Sequence, residues 1–168
     1  MNLLLRLIWV LIRAPFRRKL HPLSESVLQM RVMPNDLDLN MHMNNGRYLS
    51  LMDLGRVDLL LRSGVLGAML KLQWQPLVGA VNIRYRLSLL PFAKYRLHTK
   101  IVAWDEKWIY IEQRFEQKNR LIARGHIKAL FRSPQGNVKP EEVFGLLKMN
   151  IDPPAIPERV RKWIENEM

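Results

Sequence analysis

The sequence predicts an α+β domain in which one long amphipathic helix packs on one face of an antiparallel β-meander. Three observations lead there. A β-capable segment, 26–33, ends at Pro34, and a helical period then runs from Arg47 to Ser63. After the helix come strand-like segments at 81–88, 95–104, 108–116 and 121–131. The last three are joined by tight turns, which link antiparallel neighbours, whereas parallel strands need crossovers. A chain of 168 residues holds one such domain with its own core.

The elements follow in chain order. Leu3 to Ile12 reads Leu-Leu-Leu-Arg-Leu-Ile-Trp-Val-Leu-Ile, followed by Arg13, Arg17, Arg18 and Lys19, with no acidic residue before Glu25. A spanning helix needs about 20 apolar residues, so this run is too short. A secretory signal carries its charge ahead of the apolar run and small residues behind it. Here Pro15 and Phe16 stand where the small residues belong. The expectation is a helix in the bilayer interface, its basic flank meeting anionic headgroups on the cytoplasmic side. The alternative is a helix packed on a partner subunit. Residues 15–22 read as a linker. The expected organisation is a membrane-proximal helix and linker over 1–22, a domain over 23–148 and a tail with a short helix over 149–168. The expected location is cytoplasmic, peripheral on the inner face of the membrane.

In the long helix, Tyr48, Leu51, Met52, Gly55 and Leu59 recur at three- and four-residue spacing. Gly55 sits mid-helix on that stripe, where glycine costs roughly 1 kcal/mol, so a close neighbour is expected. Gly64 suits the helix end. Asp58 reads as surface charge. Met69 to Gln73 reads as a short strand. Ala123, Gly125, Ile127 and Ala129 give the 121–131 strand a small-residue face suited to helix contact. Residues 134–137 read as a loop, and 140–147 and 157–167 as short helices with proline near their starts. One sheet face is left without a helical cover inside the monomer.

A net charge of +12 favours a polyanionic partner such as an anionic membrane or a phosphorylated small molecule. No nucleic-acid module or basic helix is present, so nucleic acid is not expected. Without cysteine there is neither a disulfide framework nor thiolate chemistry. The four histidines lack zinc-ligand spacing, and no metal or other cofactor is expected.

The chemistry concentrates in 36–48, where Asp36, Asp38, Asn40, His42, Asn44 and Asn45 crowd ahead of the helix. Capping by Asn44 or Asn45 and Asx-turns at Asp36 and Asp38 explain part of the set, but not all of it. The pattern Asp36-x-Asp38-x-x-x-His42-x-Asn44-Asn45-x-x-Tyr48, after one strand and opening a long helix, resembles hotdog-fold thioesterases of the 4-hydroxybenzoyl-CoA thioesterase type. The wording from His42 to Leu49 is closest to the branch called thioesterase superfamily member six. The resemblance runs over roughly 27–131.

This resemblance implies a hotdog fold, a curved antiparallel sheet wrapped around the central helix. It also implies pairing into a homodimer, or a dimer of dimers, with active sites at the interface. Its catalytic carboxylate corresponds to Asp38, which would act as general base on water or as nucleophile. Amides near Asn45 to Arg47, at a helix N-terminus, are candidate oxyanion donors. The expected catalytic set is Asp38, His42 and Asn45, with Asp36, Asn40, Asn44, Gly46, Arg47 and Tyr48 around the substrate. Arg84, Arg86 and Lys107 are among many cations available to coenzyme A phosphates.

The substrate class that the resemblance implies is a fatty (medium- or long-chain) or aryl acyl-CoA thioester, or an acyl-carrier thioester, with coenzyme A part of the substrate. Met41 stands where many relatives carry glycine, and Asn40 is also unusual; both are expected to reshape the carbonyl pocket. A non-catalytic acyl-binding protein is the main alternative. A hotdog dehydratase would carry a Pro- and Gly-rich stretch where this chain has Met43-Asn44-Asn45.

Overall fold

Asn44 starts the long helix by accepting the Gly46 amide on its side-chain oxygen at 2.8 Å. A computed structural model describes residues 3–146 and 153–166. In chain order the described elements are α1 (Leu3–Arg13), β1 (Ser26–Arg31), α2 (Asn45–Arg62), α3 (Val65–Lys71), β2 (Gln75–Tyr85) and β3 (Lys94–Trp104). They continue with β4 (Ile109–Gln117), β5 (Arg120–Ser133), β6 (Gly136–Val138), α4 (Pro140–Gly145) and α5 (Glu158–Glu165). The strands form one antiparallel sheet of order β1-β3-β4-β5-β2, with β6 folded back on β5.

The expected stripe of α2 is buried: Tyr48, Leu51, Met52, Gly55 and Leu59 all face the core. A methyl at Gly55 would sit 2.7 Å from Nε2 of Gln113 and 3.0 Å from Leu97. The missing side chain lets Gln113, fully buried, reach from β4 to the Met52 carbonyl at 2.9 Å and Thr99 at 2.8 Å. Gly125 on β5 likewise makes room for the end of Met52.

Several expectations change. The 69–73 segment belongs to helix α3 and its end, not to a strand, because Gly64 takes a left-handed φ of 80° and restarts a helix. The edge strand β2 begins earlier than its alternating pattern, at Gln75, and includes Pro76, which an edge position tolerates. Residues 136–138 form β6, which takes up the second half of the 134–137 segment read as a loop and runs one residue past it. The outer sheet face is not bare: Val160 and Trp163 of α5 pack there against Ala103 and Tyr110. Residue 147 and residue 167, expected at two helix ends, lie outside the described residues.

Asp58 is not surface charge. It is buried and shared by Arg17 at 2.9 Å, Arg62 at 3.2 Å and the Ser26 hydroxyl. The segment read as a linker is pinned along α2 as well, since Leu20 N–H donates to the Arg62 carbonyl at 3.0 Å and Arg62 returns two bonds to the Arg18 carbonyl.

Helix α1 docks on the domain through Arg6, Val10 and the following Ala14, all buried. Arg6 donates to Asp36 at 3.2 and 2.5 Å and to the Arg31 carbonyl at 3.3 Å. Leu4, Leu5, Ile8, Leu11, Ile12 and Phe16 remain exposed. Arg6 is turned inward beside Leu3, Leu7 and Val10, while Leu4, Leu5 and Leu11 face outward, so the exposed face is apolar, the reverse of an ordinary surface helix. Among the described residues no helix is long and apolar enough to cross a membrane.

Candidate active site

The 36–45 loop is organised by its two aspartates, which do different work. Asp36 is completely buried. It accepts from Arg6, from Arg47 at 3.1 and 3.2 Å, and from the Met33 amide at 2.9 Å, while its carbonyl accepts the Asn44 amide at 2.8 Å. It therefore ties α1, the end of β1 and the first turn of α2 together. Asp36 and Arg47, expected around the substrate, pair with each other, and neither lines the cavity beside Asp38.

Asp38 is half-buried and held by a tight turn. Its amide donates to the His42 carbonyl at 2.9 Å, and Oδ1 accepts the amides of Asn40 at 2.9 Å and His42 at 3.3 Å. Oδ2 has no hydrogen-bond partner among the described residues. One oxygen is anchored by backbone and the other is open.

The turn passes through Met41 at a φ of 57°, the left-handed region that favours glycine. Met41 is 59% exposed and does not line the site, so its effect is on the loop backbone and not on a carbonyl pocket. The Asn40 side chain is also outside the cavity.

Beside Asp38 lies a cavity of about 230 Å³ whose lining includes His42, Asn45, Tyr48, Tyr85, Arg86 and Ser88. Asp38, His42 and Asn45 are thus brought together, although no hydrogen bond joins the His42 ring to the Asp38 carboxylate among the described residues. The candidate oxyanion donors narrow to one. The Gly46 amide is taken by the Asn44 side chain and the Arg47 amide by the Asn44 carbonyl at 2.9 Å. Capping consumes both, which leaves the Asn45 amide without an internal acceptor among the described residues. Asn44 and Gly46 are accordingly cap residues.

Tyr48 forms the cavity floor, edge-on to Tyr85 at 5.1 Å and to Phe115 at 4.8 Å. Burial pushes its hydroxyl up to about 12, so it remains a neutral donor. Tyr85 was not anticipated. Its hydroxyl donates to the Asn45 carbonyl at 3.0 Å and fixes the helix start. The signal was its place in the 81–87 alternation, on the α2 side of β2.

Residues 32–164 match the family described as the thioesterase-like superfamily, from just ahead of Asp36 to the last turn of α5. The chain belongs to the thioesterase-like superfamily. Protein THEM6 of Danio rerio is 38% identical over 164 residues, covering 95% of this chain and 79% of that protein. Protein THEM6 of Xenopus laevis is 31% identical, covering 94% and 80%. Among solved structures, the probable thioesterase YbaW of Escherichia coli superposes with a TM-score of 0.67 at 22% identity, over 73% of this chain and 96% of that one. The α+β hotdog architecture expected from 36–48 is borne out for this thioesterase-like chain, as is the family resemblance.

Proposed function

We propose that the chain hydrolyses an acyl-CoA thioester to the free acid and coenzyme A, with Asp38 as general base or nucleophile. The observation that carries this is the Asp38 carboxylate, fixed through Oδ1 and open at Oδ2, beside a cavity that also holds the N-terminus of α2. The Asn45 amide and the helix dipole then face developing negative charge on the thioester oxygen. His42 and the neutral Tyr48 hydroxyl shape the same cavity. The test is steady-state turnover of an acyl-CoA chain-length panel by the full chain and by Asp38→Asn. Unchanged turnover in the variant would remove Asp38 from the chemistry.

The acyl group is read as a medium- or long-chain fatty acid. Supporting this is a second cavity of about 290 Å³ along α2, lined by apolar side chains including Leu60, Ile101, Ile111, Leu130 and Phe144. A panel that prefers aryl over fatty acyl-CoA would sink that choice. The non-catalytic reading drew on Met41 and on the absence of a helix carboxylate of established role; of these, Met41 lies outside the cavity.

The chain works as a homodimer joined along β2. This strand is a sheet edge of 11 residues, exposed along most of its length, with a row of backbone groups open to a second copy. Sedimentation of the full chain tests it. The protein sits on the cytoplasmic face of a membrane. Arg6, the one charge in the apolar run, is turned inward, so the outward face of α1 is continuous from Leu4 to Ile12 with Arg13, Arg18 and Lys19 beside it. Co-flotation with anionic vesicles, lost on Leu5→Ser/Ile12→Ser, is the expected result.

A further inference from the structure

Strand β1 ends the sheet, and the N-terminal segment is fastened to its open edge. Arg6 donates to the Arg31 carbonyl at 3.3 Å, and Arg17 to the Val27 carbonyl at 2.7 Å. Between α1 and the β1–β3 pair lies a cavity of about 410 Å³. Its size is toward the lower end of ligand sites, which run from roughly 300 to 1,000 Å³. It shares no described lining residue with the cavity beside Asp38 or with the apolar cavity along α2.

The lining is of two kinds. Trp9, Val10, Met30, Leu54 and Tyr95 give an apolar wall, buried or half-buried. The Tyr95 hydroxyl is turned to the Met30 sulfur at 3.6 Å, and Trp9 is steadied by the Arg13 guanidinium 4.7 Å from its ring centre. Against this wall stand Arg31, Lys94, Arg96 and Lys118. Arg31 and Lys94 face each other in register across β1 and β3. Like charges directly opposite one another destabilise a sheet unless something neutralises them. Lys118 joins them from the β4–β5 turn, where it and Asn119 both take a left-handed φ, 48° and 61°.

Nothing within the cavity balances these cations. Glu116 is the one acid among the described lining residues, and it is divided between Arg96 at 3.7 Å, Arg114 at 3.4 Å and His98 at 3.3 Å. Arg31, Lys94 and Lys118 have no ion pair among the described residues. A neutral hydrocarbon would leave these charges opposed, and a small soluble anion would leave the apolar wall wet. A molecule with one charged end and one apolar chain answers both.

We propose that this cavity binds a single long-chain carboxylate, with its head on Arg31, Lys94 and Lys118 and its chain along Trp9, Val10 and Met30. A guanidinium meets a carboxylate with two parallel donors, and an ammonium adds a point charge. The choice of chain rests on the fatty acyl reading above, because hydrolysis of such a thioester releases this acid. The site lies apart from Asp38 and holds the acid as a ligand, not as a reactant.

The test uses the full chain and ω-bromododecanoate below its micelle concentration, since bromine quenches the fluorescence of a tryptophan it touches. Saturable quenching is expected, and its loss in Trp9→Phe, which keeps an aromatic ring under Arg13. Arg31→Glu/Lys94→Glu, at two exposed positions, is expected to weaken binding by roughly tenfold or more, with Lys118→Glu as a second variant in the turn. The uncharged ω-bromododecanol is expected to bind more weakly by a similar factor. Quenching that survives Trp9→Phe, equal affinity for acid and alcohol, or unchanged affinity in the charge-reversed variants overturns the site. Quenching by vesicles of brominated anionic phospholipid but not by the free acid overturns it too. Binding of the acid by a chain that turns over no acyl-CoA supports the site and removes the hydrolase reading. Turnover of acyl-CoA with no quenching overturns the site and leaves the hydrolase reading intact.

Discussion

Arg6 of α1 and Asp36 of the candidate-site loop form a buried ion pair 30 residues apart in sequence, with two hydrogen bonds between them. The same carboxylate holds Arg47, so the apolar N-terminal helix is wired to the turn that begins α2. Breaking a buried pair from one side leaves an uncompensated charge. Arg6→Met is expected to destabilise the fold by about 3 kcal/mol in urea unfolding. An unchanged midpoint would show that α1 is not docked in solution.

Asp38→Asn keeps the size of the side chain and the Oδ1 contacts of the turn. The expected outcome is a fall in kcat of roughly 10²–10⁴-fold, the range of a lost general base, with a melting temperature near that of the parent chain. Equal loss of kcat and folded protein would make Asp38 structural.

Met41→Gly relieves a left-handed backbone at an exposed side chain. The left-handed conformation costs roughly 1–2 kcal/mol for an L-residue. Chemical denaturation is expected to show a gain of about 1 kcal/mol after glycine's own entropy is subtracted.

Gly55→Ala sets two effects against each other. Alanine favours the helix by about 1 kcal/mol. The added methyl meets Gln113 and Leu97, and overpacking costs typically 1–3 kcal/mol. Clash wins because Gln113 is itself fixed by Met52 and Thr99. The variant is expected to be less stable, by about 1 kcal/mol, in the same denaturation experiment.

Glu112 gives the acid response a defined window. The hydrogen bond from His126 first, then the charges of Arg124 and Arg114, outweigh burial and hold its carboxyl at about 2 against an ordinary 4.5. A depressed carboxyl stabilises the fold above its unfolded value. That contribution is present above pH 4.5 and is lost as pH falls toward 2. Glu112→Gln is expected to lower the melting temperature at pH 6, with the gap to the parent closing as the pH falls through this window.

The sequence carried the elements whose physics is local. The three- and four-residue period of α2 and the turns between β3, β4 and β5 depend on near neighbours, and each appears where its pattern lies. Even Gly55 announced its close contact, because a glycine on a buried stripe has few other uses. What stayed hidden was set by distant partners. Asp58 sits four residues before Arg62, as a solvated pair would, yet Arg17 and Ser26 bury it. Arg6 looked like an interruption in an apolar run because Asp36 cannot be seen from there. In the candidate site, the division between Asp36 and Asp38 also comes from distant arginines: of two aspartates two positions apart, the one that meets Arg6 and Arg47 is the buried anchor, and the other keeps an open carboxylate oxygen.

The reversed polarity of α1 also bears on how the chain is made. During synthesis α1 leaves the ribosome before its lock exists, because Asp36 follows Arg6 by 30 residues. At ordinary elongation rates that delay is roughly 2–6 s. For that interval the leucines are available on a nascent chain and Arg6 is unpaired. Whatever competes for this helix, bilayer or targeting factor, acts before residue 36 emerges. Once Asp36 captures Arg6, the helix has a fixed side toward the protein and a fixed side away from it.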